Sequence, residues 1–336
     1  MRQKNIGILY NEPISQGKTH WESSIDVLTQ VEAIESSLRS LGYLSVRIPF
    51  TRDVESFIVR MNDEGVNIAF NLCETVDEDP RLAWHPVAVL ELLGIPFSGS
   101  PSPALMLTTD KVITKQLLKG HGIRTSDYLV DSHPGALDPT ALRFPVIVKP
   151  RFEDASIGID QESIFEEEGL LQNGLEELSA RFGPLLVEEY IAGREFNISL
   201  FGYPETKVLP AAEIDFSAFP KELYPIVGYR AKWEKTSFEY QNTPRFFPEG
   251  LSKMLLKEIA STALECFRLF LLRDYGRIDM RVDSLGNIYV LEINANPCLS
   301  PDAGFAAAAE KAGISYTSMV HQLLSFMVRR SENHDH

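Results

Sequence analysis

The stretch from Arg277 to Asn294, RIDMRVDSLGNIYVLEIN, constrains the fold of this 336-residue chain more than any other. Its first half alternates polar and apolar residues, a period of two that is typical of a strand with one buried face. Ser284 to Asn287 has the composition of a turn, and the β-branched and aromatic residues from Ile288 to Ile293 predict a second strand. The stretch therefore predicts an antiparallel hairpin.

Three oxygen-bearing side chains, Asp279, Glu292 and Asn294, fall on one face of this hairpin. Two carboxylates and an amide oxygen suit Mg²⁺, which usually shares its ligands with substrate phosphates. Arg277 precedes Asp279 by two residues on the same face, so it can reach an oxyanion held by the metal. The alternative interpretation is an ordinary half-buried hairpin with solvated charges.

The composition excludes some partners. The chain carries 32 Lys and Arg against 47 Asp and Glu, a formal net charge of −15. Nucleic acids and anionic membranes need clustered cations, so neither partner is expected. The three cysteines, Cys73, Cys266 and Cys298, are far apart and fit a reducing compartment. Because no apolar run has the length of a signal peptide or a membrane span, we predict a soluble cytoplasmic protein.

Strands and helices alternate over residues 1–98. Short apolar strands are predicted at 6–10, 45–50 and 66–72, with helices after the first and third, and this order predicts a parallel sheet packed against helices. No GxGxxG turn follows the first strand, so a dinucleotide fingerprint is absent. The predicted domains are 1–98, 99–196 and 197–330, followed by a tail at 331–336.

A lysine lies at the end of the strand predicted at 144–150. Lys149 precedes a polar turn that runs to Gly158, and a strand is predicted to resume at Ile159. Such a loop can lie across phosphates, with backbone N–H groups as donors and the lysine as the charge. A surface hairpin is the alternative.

Two glutamates follow an acidic helix predicted at 165–182. Glu188 and Glu195 flank a short apolar connection, where they could bind an amine and a sugar diol, although exposed glutamates are common. The segment 213–248 is rich in aromatic residues and proline but shows little periodicity. It is therefore predicted to be a long ordered loop over a site.

Five stretches, in this order and spacing, resemble the D-alanine–D-alanine ligase family of the ATP-grasp superfamily. They are FSGSPSPALMLTTDKVITKQLL, FPVIVKP with its loop to Gly158, VEEYIAGREF, YRAKW and RIDMRVDSLGNIYVLEINANP. The resemblance is in register from Gly94 onward and looser before it. It implies an α/β protein in which an N-terminal Rossmann-like pre-ATP-grasp domain precedes a two-lobed α+β ATP-grasp fold.

The resemblance implies that seven residues bind ATP: Lys111, Lys149, Ser156, Gly158, Glu188, Ile191 and Glu195. The two lysines would contact the phosphates, beneath a mobile loop that contains the serine and the glycine. The first glutamate would take the adenine amine and the second the ribose hydroxyls, while the isoleucine would offer its backbone to the ring.

The resemblance also assigns the metal and the catalytic groups. Asp279, Glu292 and Asn294 would hold two Mg²⁺ ions, with Mn²⁺ as a substitute. Arg277 would stabilise the tetrahedral intermediate, and Lys232 matches a loop lysine that closes near the γ-phosphate.

The implied reaction is ATP-dependent amide formation. A substrate carboxylate attacks the γ-phosphate to give an acyl phosphate, and the amine of a second substrate then displaces phosphate. Positioning and charge neutralisation do most of the catalysis, so no nucleophilic side chain is required. Cys298 is therefore predicted to be a small packing residue. The implied partners are small-molecule carboxylates and amines, and the family suggests a homodimer.

The departures from the family pattern fall on the amino-acid pockets. Where the family has a glycine pair and a glutamate after the first strand, this chain has YNEP, so Glu12 or Glu22 would have to bind the first substrate's ammonium. The acidic glycine-rich loop after the third strand is replaced by CETVDEDPRLAWH. A serine of the phosphate loop is Ala155 here, and the loop tyrosine is Trp233.

The second pocket departs as well. Cys298 replaces a glycine, and residues 302–304 cover the position of a serine that binds the second substrate's carboxylate. Asp302 would repel that carboxylate and could face an amine instead, or it could be a helix N-cap. Tyr229, in YRAKW, is a further substrate candidate.

We therefore hypothesise a relative that ligates other amino acids or small carboxylates, with D-alanine preferred at neither pocket. The alternatives are a true D-alanine–D-alanine ligase, a nucleotide-binding module without catalysis, and an ATP-grasp carboxylase or kinase. The retained Arg277 argues against the module, because a protein that only senses ATP needs no oxyanion-binding arginine.

Overall fold

The computed structural model describes residues 5–14, 20–131 and 139–334. The chain begins with a three-stranded parallel sheet of order β2-β1-β3. Its elements are β1 (Asn5–Asn11), α1 (Trp21–Ser40), β2 (Ser45–Phe50), α2 (Val54–Asp63) and β3 (Val66–Asn71). The predicted parallel sheet with helical crossovers is confirmed.

The helix α2 was missing from the sequence prediction. The Asp53 carboxylate accepts a hydrogen bond from the Ser56 backbone N–H at 3.0 Å and so caps its N-terminus. Phe57 and Met61, one turn apart, bury the inner face. An aspartate three residues before a serine, followed by an i, i+4 apolar pair, was the available signal.

Three helices connect this sheet to the next: α3 (His85–Leu92), α4 (Ser102–Thr109) and α5 (Lys111–Gly120). The segment predicted only as a turn-rich boundary therefore leads directly into α4. Asp110 caps α5, since its carboxylate accepts from the Val112 N–H at 3.0 Å and also binds Arg151. The start of α5 is therefore joined to Arg151, which directly follows the strand that ends at Pro150.

A four-stranded antiparallel sheet of order β4-β7-β5-β6 forms the central lobe. Its elements are β4 (Tyr128–Asp131), β5 (Val146–Pro150), β6 (Ile164–Phe165), α6 (Glu168–Phe182) and β7 (Leu185–Glu189). The prediction of a strand resuming at Ile159 is wrong. The chain stays in a loop until a 3₁₀ turn at Gln161–Ser163, and pairing with β5 returns only at β6.

The last sheet has six strands, with β9 paired to β8 beside the path β11-β10-β8-β12-β13. The strands are β8 (Arg194–Gly202), β9 (Lys207–Val208), β10 (Ala212–Ile214), β11 (Arg245–Phe246), β12 (Asp274–Val282) and β13 (Ile288–Asn294). Arg277 lies opposite Asn294 and Asp279 opposite Glu292, which confirms the predicted hairpin.

Five helices accompany this sheet: α7 (Tyr229–Trp233), α8 (Phe238–Gln241), α9 (Lys253–Leu269), α10 (Gly304–Lys311) and α11 (Tyr316–His334). The segment 213–248 is therefore not one irregular loop, since it holds α7, α8 and β11. The helix α11 continues through the predicted tail as far as His334, and residues 335–336 lie outside the described residues. No helix in the described ranges is long and apolar enough to cross a membrane.

The buried apolar residues form three clusters. Two of them combine the first sheet with the last, for example Leu9 with Ile293 in one cluster and Ile8 with Tyr275 in the other. The third cluster, from Leu142 to Val187, lies wholly within the central lobe. The predicted boundary between 196 and 197 falls inside β8, and the predicted domains remain a prediction.

Candidate active site

A polar cluster occupies one face of the β12–β13 hairpin. Arg277 donates from Nε and Nη2 to the two carboxylate oxygens of Asp279, each at 2.8 Å. Asn197 on β8 and Asn294 on β13 donate to the same carboxylate at 2.9 and 3.2 Å. Burial alone would lower the pKa of Arg277, but Asp279 outweighs it and raises that pKa above its ordinary value. Arg277 is thus a fixed, charged donor, and no described hydrogen bond uses its Nη1.

The carboxylate of Glu292, one of the predicted metal ligands, lies beside a second carboxylate. Glu292 makes no ion pair with Lys or Arg in the described part of the chain, and its carboxylate lies against that of Asp154. Desolvation and repulsion from Glu292 raise the pKa of Asp154 to about 6, although the positive charge of Lys111 acts to lower it. Two adjacent carboxylates that repel each other fit a divalent cation.

The predicted donor set would suit an Mg²⁺ ion that is shared with a substrate. Asn294 uses its Nδ2 on Asp279 and therefore keeps its Oδ1 for a cation. Among the described residues no three His, Cys, Asp or Glu side chains form a metal-binding group. The two carboxylates and the amide would leave coordination positions for phosphate oxygens and water, which is usual for Mg²⁺.

Lys232, on α7, extends toward this cluster. Burial lowers its pKa, while the carboxylates of Glu292 and Asp279 act in the opposite direction and Arg277 adds to the lowering. No hydrogen bond or ion pair fixes its ammonium among the described residues, so it remains free to meet an anionic ligand.

On the central lobe, Lys149 and Glu188 form the predicted nucleotide-binding pair. Lys149 Nζ donates to Glu188 Oε2 at 3.1 Å, and Ser126 Oγ donates to the same oxygen at 2.9 Å. A third donor, the buried Lys115, was missed by the sequence analysis and lies 3.1 Å from that oxygen. Its position four residues after Lys111 on one helix was the available signal.

The other predicted nucleotide-binding residues already have partners. Lys111 Nζ donates to the Glu153 carbonyl oxygen. Glu195 accepts from Arg281 at 2.8 Å, and Arg281 also donates to the Ile191 carbonyl oxygen at 2.7 Å. Arg281 thus joins the two residues predicted to bind the ribose and the base, a link that the sequence analysis did not foresee.

The predicted phosphate loop is strained and fastened. Ala155 and Ser156 have φ of 55° and 61°, a left-handed conformation that costs about 1 kcal/mol per non-glycine residue. Gly158 also has positive φ, and a Cβ there would lie 2.6 Å from Pro150 Cγ. Ser156 Oγ donates to the Val227 carbonyl oxygen at 2.8 Å, and Trp233 Nε1 donates to the Ala155 carbonyl oxygen at 2.9 Å.

The candidates for the first amino-acid pocket are dispersed. Glu12 is exposed and makes no described contact. The Tyr229 hydroxyl reaches the exposed Glu22 at 3.5 Å, and the Tyr229 ring packs edge-on against His20 with ring centroids 4.8 Å apart. His20, Glu22 and Tyr229 line a cavity together with Phe182 and Gly158 of the phosphate loop. Nothing described joins them to Arg277.

Different carboxylates lie beside Cys298. Its thiol donates to Asp26 at 3.0 Å, so the residue is hydrogen-bonded as well as packed, and burial and the neighbouring carboxylates raise its pKa. Gln30, one turn along α1, donates to Glu74 at 3.1 Å. Burial raises the pKa of Glu74 to about 7. These partners are far apart in sequence, and no motif marked them.

The interpretation of Asp302 as a helix cap is wrong. The helix α10 starts at Gly304, its N-cap is Ala303, and no side chain caps it. Asp302 instead lies inside the turn closed by the Ala303 N–H and the Ser300 carbonyl oxygen at 3.0 Å. An arginine that the sequence analysis missed, Arg245, packs here, with Nε 3.3 Å from the position a Cβ on Gly304 would take.

The guanidinium of Arg245 has no anionic partner at hydrogen-bond distance among the described residues. Burial and the positive charge of Arg277 lower its pKa, with only Asp302 acting in the opposite direction. It makes no ion pair or hydrogen bond in the described ranges. The Arg245 guanidinium at the start of α10 would attract an anion such as a carboxylate.

Comparisons with known proteins agree with this geometry. Residues 121–325 match the family described as D-ala D-ala ligase C-terminus. A D-alanine–D-alanine ligase of Haemophilus influenzae is 30% identical over 275 residues, covering 80% of this chain and 85% of that protein. The uncharacterized protein y4sG of Sinorhizobium fredii is 34% identical over 264 residues, covering 78% and 75%.

Solved structures agree over the whole fold. The D-alanine–D-alanine ligase of Bacillus anthracis complexed with ATP has a TM-score of 0.76 at 23% identity, covering 98% of this chain and 99% of that one. The VanG D-Ala:D-Ser ligase of Enterococcus faecalis has a TM-score of 0.73 at 18% identity, covering 97% and 100%. The fold and site thus define an enzyme of the ATP-grasp ligase class. The chain belongs to the D-alanine–D-alanine ligase family.

Proposed function

We propose that this chain joins a carboxylate substrate to an amine substrate at the expense of ATP, through an acyl phosphate, with release of ADP and phosphate. The observation that carries the proposal is the hairpin cluster in which Arg277 and Asp279 share two hydrogen bonds beside Glu292 and Asn294. A protein that only bound ATP would need no fixed arginine beside its carboxylates.

ATP would be held mainly by the central lobe. The ammonium groups of Lys149 and Lys111 would neutralise phosphate oxygens, and the backbone N–H groups between Ser156 and Gly158 would donate to them. Glu188 would accept the adenine amine through its Oε1, and Glu195 would accept ribose hydroxyls. The proposal is supported by the absence of any described hydrogen bond on Glu188 Oε1, whereas Oε2 already has donors.

The catalytic groups act through position and charge. Asp279, Glu292 and Asn294 would hold Mg²⁺, which when bound would neutralise the transferred phosphoryl group. Arg277, oriented by Asp279, would donate from Nη1 to the oxyanion of the tetrahedral intermediate. Lys232 would meet the phosphoryl oxygens as the α7 loop closes, because no described residue makes a hydrogen bond or ion pair with its ammonium.

The substrates proposed here are amino acids or small carboxylates other than D-alanine. At the second pocket, Arg245 would bind the carboxylate of the amine substrate and so do the work of the missing serine. Beside Cys298, the negative charge comes from Asp26 and Glu74, and a substrate ammonium would be attracted there. The support is the position of these charged groups around the departures from the family pattern.

The second candidate function is synthesis of D-alanyl-D-alanine itself. It is favoured by the name of the Haemophilus influenzae relative, which is a D-alanine–D-alanine ligase. The two candidates share the nucleotide and metal chemistry, and they differ only in the product.

The test is phosphate release from ATP and Mg²⁺ across pairs of D- and L-amino acids and small carboxylates, with products identified by mass spectrometry and Asp279→Asn as the blank. We expect one pair to exceed D-alanine alone by about tenfold or more, the effect of one well-placed polar contact. D-alanyl-D-alanine as the best product would establish the second candidate. No amino-acid-dependent ADP release from any pair would overturn the ligase proposal.

A further inference from the structure

The most deeply buried cation in the described part of the chain is Lys115, whose surface is 1% exposed. It lies on α5, one turn after Lys111, and no role in the proposed chemistry accounts for it. Burying an ammonium group costs several kcal/mol unless it is fully hydrogen-bonded, so its partners define its purpose.

All three ammonium hydrogens of Lys115 have acceptors. Nζ donates to Thr125 Oγ1 at 2.9 Å and to Ser126 Oγ at 2.8 Å, and it lies 3.1 Å from Glu188 Oε2. The Thr125 hydroxyl in turn donates a hydrogen bond to the Val290 carbonyl oxygen at 2.7 Å. Lys115 therefore connects Glu188 in the central lobe to β13 in the catalytic hairpin.

This arrangement is asymmetric at the Glu188 carboxylate. Lys115, Lys149 and Ser126 all approach Oε2, between 2.9 and 3.1 Å, and no described hydrogen bond ends on Oε1. Three donors on one oxygen fix the rotation of the carboxylate and leave the other oxygen as its available acceptor.

The same contacts keep Glu188 ionised. Burial alone would raise the pKa of its carboxyl group, but Lys115 and Lys149 outweigh burial and lower the pKa to about 2. An ionised carboxylate can only accept hydrogen bonds. The 6-position of adenine donates from an amino group, whereas the 6-position of guanine presents an acceptor oxygen.

We propose that Lys115 is a positioning residue for purine selection: by holding Oε2 of Glu188, it keeps Oε1 as a fixed, acceptor-only contact that admits adenine and rejects guanine. The inference rests on the proposed function, in which Glu188 meets the base of ATP. Lys115 itself touches neither nucleotide nor substrate.

The experiment measures equilibrium binding of ATP and of GTP, each with Mg²⁺, by calorimetry on the intact protein. Lys115→Met removes the ammonium and keeps the apolar stem. Lys119→Met, one turn along the same helix, is the matched control, because Lys119 pairs at 2.6 Å with the exposed Asp127. We expect Lys115→Met to reduce the ATP-to-GTP affinity ratio by about tenfold, as for one lost contact to a charged group, and Lys119→Met to leave it unchanged.

Equal losses of ATP and GTP affinity in Lys115→Met would overturn the inference, because they would show that Lys115 only stabilises the lobe. Should that variant fail to fold, Lys115→Gln, which is shorter and uncharged but polar, takes its place with the same expected direction. Glu188→Gln with and without the Lys115 substitution completes a double-mutant cycle. We expect Lys115→Met to change the ratio by less than about twofold once Glu188 is replaced. A larger change in that background would also overturn it. Because binding needs no turnover, these outcomes are independent of whether any amino-acid pair is ligated.

Discussion

The indole N–H of Trp233 donates to the carbonyl oxygen of Ala155 at 2.9 Å. Both residues are departures from the family pattern, and the contact shows that they are coupled. The bond needs no side chain at position 155, so an alanine there is compatible with a fastened loop. Trp233 thus connects the α7 helix to the phosphate loop through this hydrogen bond.

Replacement of Trp233 by Phe should therefore weaken nucleotide binding. The loss of one hydrogen bond to a strained loop is expected to raise the KM for ATP about fivefold, since a typical net hydrogen bond contributes about 1 kcal/mol. Trp84→Phe serves as the control, because Trp84 stacks on His85 in another part of the chain. An unchanged KM for ATP in Trp233→Phe would show that this hydrogen bond does not contribute to nucleotide binding.

Replacement of Asp279 by Asn should nearly abolish phosphate release. It removes a charge that orients Arg277 and is predicted to hold the metal, and a loss of about 100-fold or more is expected for such an electrostatic group. The free energy of unfolding should also fall, because Arg277 loses the one ion pair that it makes among the described residues. Asp63→Asn, at an exposed aspartate of α2, should change neither phosphate release nor the melting temperature appreciably.

Replacement of Arg245 by Met should affect the amine substrate selectively. With the best amine substrate from the pair screen, we expect its KM to rise about tenfold or more, the effect of losing a charged contact to a carboxylate. The carboxamide of that substrate should bind the variant and the parent alike. Arg39→Met, which removes a highly exposed arginine on α1, is the control. Equal losses for acid and amide would disprove a carboxylate contact.

Replacement of Glu74 by Gln should stabilise the substrate-free protein at high pH. Burial raises the pKa of Glu74 from 4.5 to about 7, so the folded state binds the proton more tightly than the unfolded state. Stability is therefore lost as the pH rises above 4.5, and the loss is complete above about 7. Gln keeps an acceptor for Gln30 and has no charge to desolvate.

Thermal melts at pH 5 and pH 8, without magnesium or substrates, measure this effect. The advantage of Glu74→Gln should be small at pH 5 and reach about 1–3 kcal/mol at pH 8. The exposed Glu32 provides the control substitution. Parallel pH profiles for Glu74→Gln and the parent would show that Glu74 is ionised without penalty.

The hairpin could be predicted from sequence because its information is local. A period of two, a four-residue turn and a second apolar strand predict the hairpin and bring Asp279 near Glu292. The direct pairing of the two residues depends on a register shift between Asp279 and Met280, which no local pattern marks. The start of α5 could be predicted for the same reason, because Asp110 caps the helix that it directly precedes.

The amino-acid pockets could not be predicted, because their contacts join distant parts of the chain. The thiol of Cys298 binds Asp26 across 272 positions, and no short spacing signals such a pair. Asp302 had the composition of a helix cap, but the turn closed by Ser300 and Ala303 delays the helix by one residue. Arg245 lies on a two-residue strand, too short for any periodic pattern.

The way in which the buried clusters are divided also determines how the chain can be assembled and cut. Because residues of the first sheet share their core with α11, that sheet can complete its core only when nearly the whole chain has left the ribosome. The central lobe carries its own core between Leu142 and Val187 and can finish earlier. It is therefore the natural unit for exchange: a chimaera that swaps this lobe should keep its packing, whereas one joined at residue 98 would divide two cores.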